Sequence, residues 1–210
     1  MEGVRKEIEE YIRGTIIPCY DGFDRGHGRS HAEYVIDTAM RLSDFYDVDR
    51  EMVAVAAACH DLGLCEDRRN HHLVSGRMVR ADARLRKWFS EEQIETIAQA
   101  AEDHRASSDH APRTIYGRII AESDRQIIPE VVIRRAIQYG IDNYPELDRE
   151  SHWRRMVEHL GEKYAEGGYL KLWIPESPNA ARLAELRSIM RDESGLRAIF
   201  DRIFDKESTE

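Results

Sequence analysis

Residues 53–63 read VAVAAACHDLG, a run of small apolar side chains that ends in the doublet His60-Asp61 and is closed by Gly63. Asp49 stands where an N-cap belongs, with Glu51 and Met52 leading into Val53, Ala56, Cys59 and His60 along one helical stripe. The apolar stretch 52–59 is the longest in the chain and far too short to span a bilayer, so it predicts a core helix. Such a helix delivers an imidazole and a carboxylate to the edge of an apolar interior. A buried carboxylate there is costly unless it is paired or holds a metal.

Working outward, the pattern is helical from end to end. Residues 2–16 carry Val4, Ile8, Tyr11 and Ile12 at helical spacing. The turn-rich segment 18–30, PCYDGFDRGHGRS, leads to Ser30, which predicts an N-cap for a helix to about Phe45 with His31, Val35, Ala39 and Leu42 inward. A charged loop precedes a helix over 71–88, and Ser90 with Gln93 forms a capping box for a helix bearing Ile94, Ile97, Ala101 and His104. Further helices are expected over 113–124, 129–142, 149–165, 179–191 and 195–205. No hairpin chemistry and no internal repeat interrupts them. The expected fold is all-α, one domain over 1–210, with a core of approximately 20–140 and a C-terminal helical extension of approximately 143–205.

The chemistry-bearing side chains sit at the ends of these helices. His31 opens one, His60 and Asp61 end a second, and Asp124 ends a third whose last turns carry Ile119, Ile120 and Ala121. Imidazoles and carboxylates reaching inward from three helices are what a nitrogen/oxygen metal site in a helical bundle requires. In its order and flanks the set resembles the HD-domain superfamily of metal-dependent phosphohydrolases. HGRSHAEYVIDTAMRL (27–42) is similar to that family's first ligand helix, VAVAAACHDLG to the helix ending in the HD doublet, and RIIAESDR (118–125) to the last ligand. The resemblance covers about residues 20–140 and implies a helical HD bundle in which His31, His60, Asp61 and Asp124 bind one divalent ion. It makes Asp61 the ligand able to bridge to a second.

Two more histidines bear on how many ions are held. His72 begins HLVSGRMV (72–79), similar to an HxxxG pattern of dinuclear members, and His104 ends IAQAAEDH (97–104). By the resemblance they are either ligands of a second ion or pocket contacts that move protons, and His71 competes with its neighbour His72. Arg105 occupies the place where HD-GYP proteins carry a further histidine, and no GYP element is present. The implied catalytic set is Asp61, His72 and His104. The cofactor is one or two divalent ions, drawn from Mn, Fe, Co, Ni, Zn or Mg, since such ligands do not select among them. Arg29, Arg105 and Arg125, each within two residues of a ligand, are the candidate phosphoryl contacts. His27, four residues before His31, is a further candidate to face the pocket.

Composition agrees with this reading and narrows the partners. With 41% apolar and 34% charged residues the chain is globular, and a net charge of −9 argues against duplex nucleic acid or an anionic membrane as partner. Arginine supplies 26 of the 31 basic residues, a side chain suited to forked recognition of phosphate. Cys19, Cys59 and Cys65 follow no paired spacing, and the charged N-terminus lacks a signal core, so a cytoplasmic location is expected. The expected substrate is small, phosphorylated and nucleotide-like. The aromatics of 143–210 are expected to pack a core rather than stack on a base, and they are also candidates to cover the pocket or to form a subunit interface in a homo-oligomer. Two rival functions share the fold: a non-catalytic nucleotide-binding module and a di-iron oxygenase.

Overall fold

The computed structural model describes residues 1–209, and among them every regular element is helical. The chain forms two compact units, one of residues 1–125 joined by Trp173–Ser177, the other of Gln126–Leu172 joined by the residues from Pro178 onward.

The first unit opens with α1 (Lys6–Tyr11), which runs on into a π-helical turn, Ile12–Ile16, and a 3₁₀ stretch, Ile17–Gly22. It continues with α2 (Arg29–Leu42), α3 (Arg50–Cys59), α4 (His71–Ala81), α5 (Glu91–Glu102) and α6 (Ile115–Asp124). Helix α3 lies at its centre, packed against α2, α5 and α6, and every residue from Met52 to Cys59 is buried. Its four alanines explain the arrangement, because small side chains let three neighbouring helices approach one axis closely. The cap on α3 is the expected one: the Asp49 carboxylate accepts from the backbone N–H of Glu51 at 2.9 Å. The capping box of α5 also forms, with Ser90 and Gln93 exchanging side-chain and backbone bonds at 2.9 and 3.3 Å. Helix α2 differs from expectation. It starts at Arg29 after Gly28, and Ser30 lies inside the first turn instead of capping it. Helix α4 is shorter than predicted: it ends at Ala81, and residues 85–87 turn as a separate 3₁₀ segment.

The second unit consists of α7 (Pro129–Asn143), α8 (Arg149–Tyr164), α9 (Asn179–Arg191) and α10 (Glu193–Glu207). Helix α7 packs against each of the other three. Its own apolar core includes Ile133, Ile137, Met156, Leu160, Leu186 and Phe200, each almost wholly buried. Helix α7, which the sequence places with the core segment, therefore belongs structurally to the C-terminal helices. No helix among the described residues is long and apolar enough to cross a membrane.

Candidate metal centre

The end of α3 is fixed before any metal is considered. The Tyr20 hydroxyl, fully buried, donates to the Ala58 carbonyl at 2.7 Å and accepts from the Asp61 backbone N–H at 3.3 Å. His60 and Asp61 follow directly, both buried. Gly63 then allows a close approach that no other residue could make. A Cβ there would collide with the His71 carbonyl and stand 2.8 Å from the Ser75 backbone nitrogen. The Gly63 N–H donates to Ser75 Oγ at 2.9 Å, which holds the first turns of α4 against the doublet.

Six side chains converge on this point from five elements. His31 Nε2, from the first turn of α2, lies 3.1 Å from Asp124 Oδ1 at the end of α6 and 3.4 Å from His60 Nε2. Asp61 Oδ2 is 3.2 Å from His60 Nε2 and 3.8 Å from His31 Nε2, so one carboxylate oxygen faces this group. Asp61 Oδ1 faces the other way, 3.4 Å from His71 Nε2 and 3.3 Å from His104 Nε2, and those two nitrogens are 3.0 Å apart. The donors thus form two triads, His31–His60–Asp124 and Asp61–His71–His104, with Asp61 shared between them.

Backbone carbonyls set the imidazole tautomers. His60 Nδ1 faces the Ala57 carbonyl at 2.8 Å, His104 Nδ1 that of Ala101 at 2.6 Å, and His71 Nδ1 that of Arg68 at 2.9 Å. A carbonyl only accepts, so each Nδ1 carries the proton and each Nε2 presents a lone pair inward. When the imidazoles are neutral these lone pairs face one another at 3.0–3.4 Å beside carboxylate oxygens, and a proton on Nε2 or a divalent cation between them relieves the repulsion. This donor set fits divalent metal, and its borderline nitrogen and hard oxygen ligands suit first-row ions.

Without metal the charges respond as expected. Burial pulls the His60 imidazole down, but Asp61 and Asp124 outweigh it and raise its pKa to about 9. Burial likewise opposes ionisation of both carboxylates, yet the histidines hold Asp61 and Asp124 well below the usual range. Burial, followed by His104, lowers His71.

The structure brings together His31, His60, Asp61, Asp124 and His104, and it places His71, not His72, beside Asp61. Adjacent helical residues point about 100° apart, so only one of the pair can face the doublet, and the Gly63 contact selects the first residue of α4. His72 sits next to that position, with its ring 5.6 Å from that of His71 and its Nδ1 buried without a hydrogen-bond partner. Gly76, the end of the HxxxG pattern, serves helix packing: a Cβ there would strike the Glu102 carboxylate on α5.

The three candidate arginines are placed differently from one another. Arg29 is exposed and forks onto Asp21 at 2.9 and 2.6 Å. Arg105 reaches Ser107 Oγ and the Arg69 carbonyl, each at 2.9 Å, tying the loop after α5 to the loop before α4. Arg125 is buried and donates to the carbonyl of Ala121, one turn back on α6. His27 lies 6.0 Å from the His31 ring, centre to centre, and its Nδ1 is 2.8 Å from Asp24, which Arg68 also engages. Sequence reading missed Tyr20, Asp24 and Asp103. The last is a buried carboxylate beside His104 that accepts from the Arg113 backbone at 2.7 Å and from Arg113 Nε at 2.9 Å. Their signal is weak because Tyr20 acts on the end of α3, Asp24 joins Arg68 as well as its near neighbour His27, and Asp103 meets Arg113 across a loop.

Residues 28–126 match the HD domain family. Among curated proteins, the chain is 26% identical over 114 residues to a tRNA (cytidine(56)-2'-O)-methyltransferase of Picrophilus torridus, a match taking in 49% of this chain and 32% of that protein. The chain therefore corresponds to about a third of that relative's length. No solved structure matches.

Proposed function

Residues 28–126 are an HD domain, and from that premise we propose that the protein is a metal-dependent phosphohydrolase acting on a phosphomonoester or a nucleotide. The observation that carries the reading is the Asp61 carboxylate, which offers one oxygen to His60 and the other to His71 and His104. When bound, divalent ions at such a centre supply Lewis acidity toward phosphoryl oxygens and a water acidified toward neutrality.

The chain's own residues supply the rest. His31, His60, Asp61 and Asp124 would hold the first ion, and Asp61, His71 and His104 the second. Tyr20 and the three carbonyl acceptors hold the ligands in orientation, which spares the reorganisation that a looser site would incur. His27, with Nδ1 on Asp24, and Arg105, beside His72, would meet the phosphoryl charge from the loops around the centre. Arg105, Arg29 and Arg125 are already engaged, by Ser107 and the Arg69 carbonyl, by Asp21 and by the Ala121 carbonyl, so each would have to exchange partners to bind substrate.

The test is metal analysis of protein purified without chelator, with turnover measured on a panel of phosphorylated compounds. Because the curated relative is named for tRNA, the panel includes RNA-derived nucleotides with terminal phosphates. Wild type is expected to carry metal and to turn over at least one class, and Asp61→Ala to lose both properties. A metal-free wild type, or turnover unchanged in Asp61→Ala, would remove the basis of the proposal.

A further inference from the structure

Three consecutive residues at the end of α5, Glu102, Asp103 and His104, face three different parts of the first unit. Only His104 reaches the metal centre, with Nε2 3.0 Å from His71 Nε2 and 3.3 Å from Asp61 Oδ1. Successive residues of a helical turn diverge by about 100°, so the two acids before it turn toward neighbouring helices. Neither acid is among the donors of the two triads.

Glu102 faces α4. Gly76 leaves room for its carboxylate, which a Cβ at that position would strike. Arg80, one turn further along α4, donates from Nη1 to Glu102 Oε1, and its Nε and Nη2 fork onto Glu95 at 2.7 and 2.8 Å. Asp103 faces the start of α6. Its side chain is closed to solvent, and a Cβ on Gly117, in the first turn of α6, would stand 2.8 Å from Asp103 Oδ2. Arg113, two residues before α6, joins the two acids. Its backbone N–H and its Nε donate to Asp103 at 2.7 and 2.9 Å, and its Nη2 donates to Glu102 Oε2 at 2.7 Å. The same Nη2 donates to the Gln99 carbonyl at 3.2 Å, which holds the guanidinium along the last turn of α5.

Helix α4 carries His71 and α6 ends in Asp124, so this frame ties α5 to both neighbours immediately before the residue that brings an imidazole to His71. A forked guanidinium fixes direction as well as distance, which a single bond does not. Ligand placement is sensitive at this scale: a zinc–nitrogen bond is about 2.0–2.1 Å long, with a tolerance of about 0.2 Å. We propose that Glu102 and Asp103, clamped by Arg113, are positioning residues that set His104 for the second ion. The proposal rests on the reading that Asp61, His71 and His104 hold that ion, and it extends the site to side chains that bind no metal themselves.

The experiment strips the full chain of metal, removes the chelator and titrates Mn²⁺ alone. Calorimetry reads the two affinities, and electron paramagnetic resonance reads the spin coupling of paired ions. Wild type is expected to bind two coupled ions. Arg113→Met and Asp103→Ala are each expected to weaken the second ion by about 10- to 100-fold and to leave the first unchanged. Arg113→Lys keeps the charge without the fork, and Asp103→Asn keeps one acceptor oxygen, so each should recover part of the loss. Ser90→Ala, which removes the cap at the other end of α5, separates positioning from stability and should leave both affinities unchanged. Circular dichroism checks each variant, and should Asp103→Ala or Arg113→Met lose helix, Asp103→Asn and Arg113→Lys decide. Two coupled ions in wild type with second-ion affinity unchanged in the Arg113 and Asp103 variants, or weakened equally in Ser90→Ala, overturn this proposal alone. A wild type that binds fewer than two ions overturns it together with the second-ion reading.

Discussion

His60 lies fully buried between Asp61 and Asp124, and their charge raises its pKa to about 9 against the burial that opposes it. A raised pKa means that the folded, metal-free protein holds this proton more tightly than the unfolded chain does. That stabilisation is fully present below about pH 6.5, the unfolded value, and is lost as pH rises through about 9. Metal needs the same nitrogen deprotonated, so affinity should increase with pH across this interval and binding should release protons. Calorimetry at pH 7 in buffers of different ionisation enthalpy reads the release directly; an apparent enthalpy independent of buffer would contradict it. The two triads also predict separable ions. His71→Ala or His104→Ala should lose the second ion and keep the first, whereas His72→Ala should keep both, as read by metal content per chain. The choice between His71 and His72 was not legible in the sequence, because two adjacent histidines at a helix start are equivalent until something fixes the helix rotation.

At the scale of elements, the contact between Gly63 and the start of α4 supplies that fixing. Gly63→Ala would push α4 away from the doublet, since its methyl would meet the His71 carbonyl and the Ser75 nitrogen. The expected result is loss of the second ion with the first retained, because His31, His60 and Asp124 sit on α2, at the end of α3 and on α6. Caps behave more simply. Ser90→Ala removes the hydroxyl of the α5 capping box and should cost about 1 kcal/mol in chemical denaturation without altering bound metal. The element boundaries that sequence predicted poorly are those decided by packing. Ser30 carries a good capping side chain, yet α2 begins one residue earlier, after Gly28, and the residue lies in its first turn. The helix expected over 71–88 stops at Ala81, and Leu85, fully buried, belongs to a separate 3₁₀ turn.

Across the first unit, the metal centre ties α2, α3, α4, α5 and α6 together at their ends. Five elements presenting imidazoles and carboxylates to one point are held there in part by protons when metal is absent, and a divalent cation should hold them more tightly. At free metal near 100 times its dissociation constant, linkage contributes about 2.7 kcal/mol, so chelation should lower the thermal midpoint by roughly 5–10 °C. Asp61→Ala should remove this response to chelator. Hydrogen exchange should locate the lost protection at the ends of α2, α3 and α6 and at the start of α4. An equal midpoint with and without chelator in a metal-loaded wild type would refute the coupling.

The sequence by itself determined the helical class and the alanine-rich core helix, through hydrophobic spacing and caps. It pointed to His31, His60, Asp61 and Asp124 as candidate ligands through the resemblance of their order and flanks to the HD family. The tertiary structure decided which histidine completes the second triad, which arginines are already engaged, and where the chain divides into two units. The physical reason is common to all of these. Periodicity fixes which face of a helix turns inward, but the rotation of that helix to within one residue, and the partner a charge finds, depend on contacts between segments far apart in the chain.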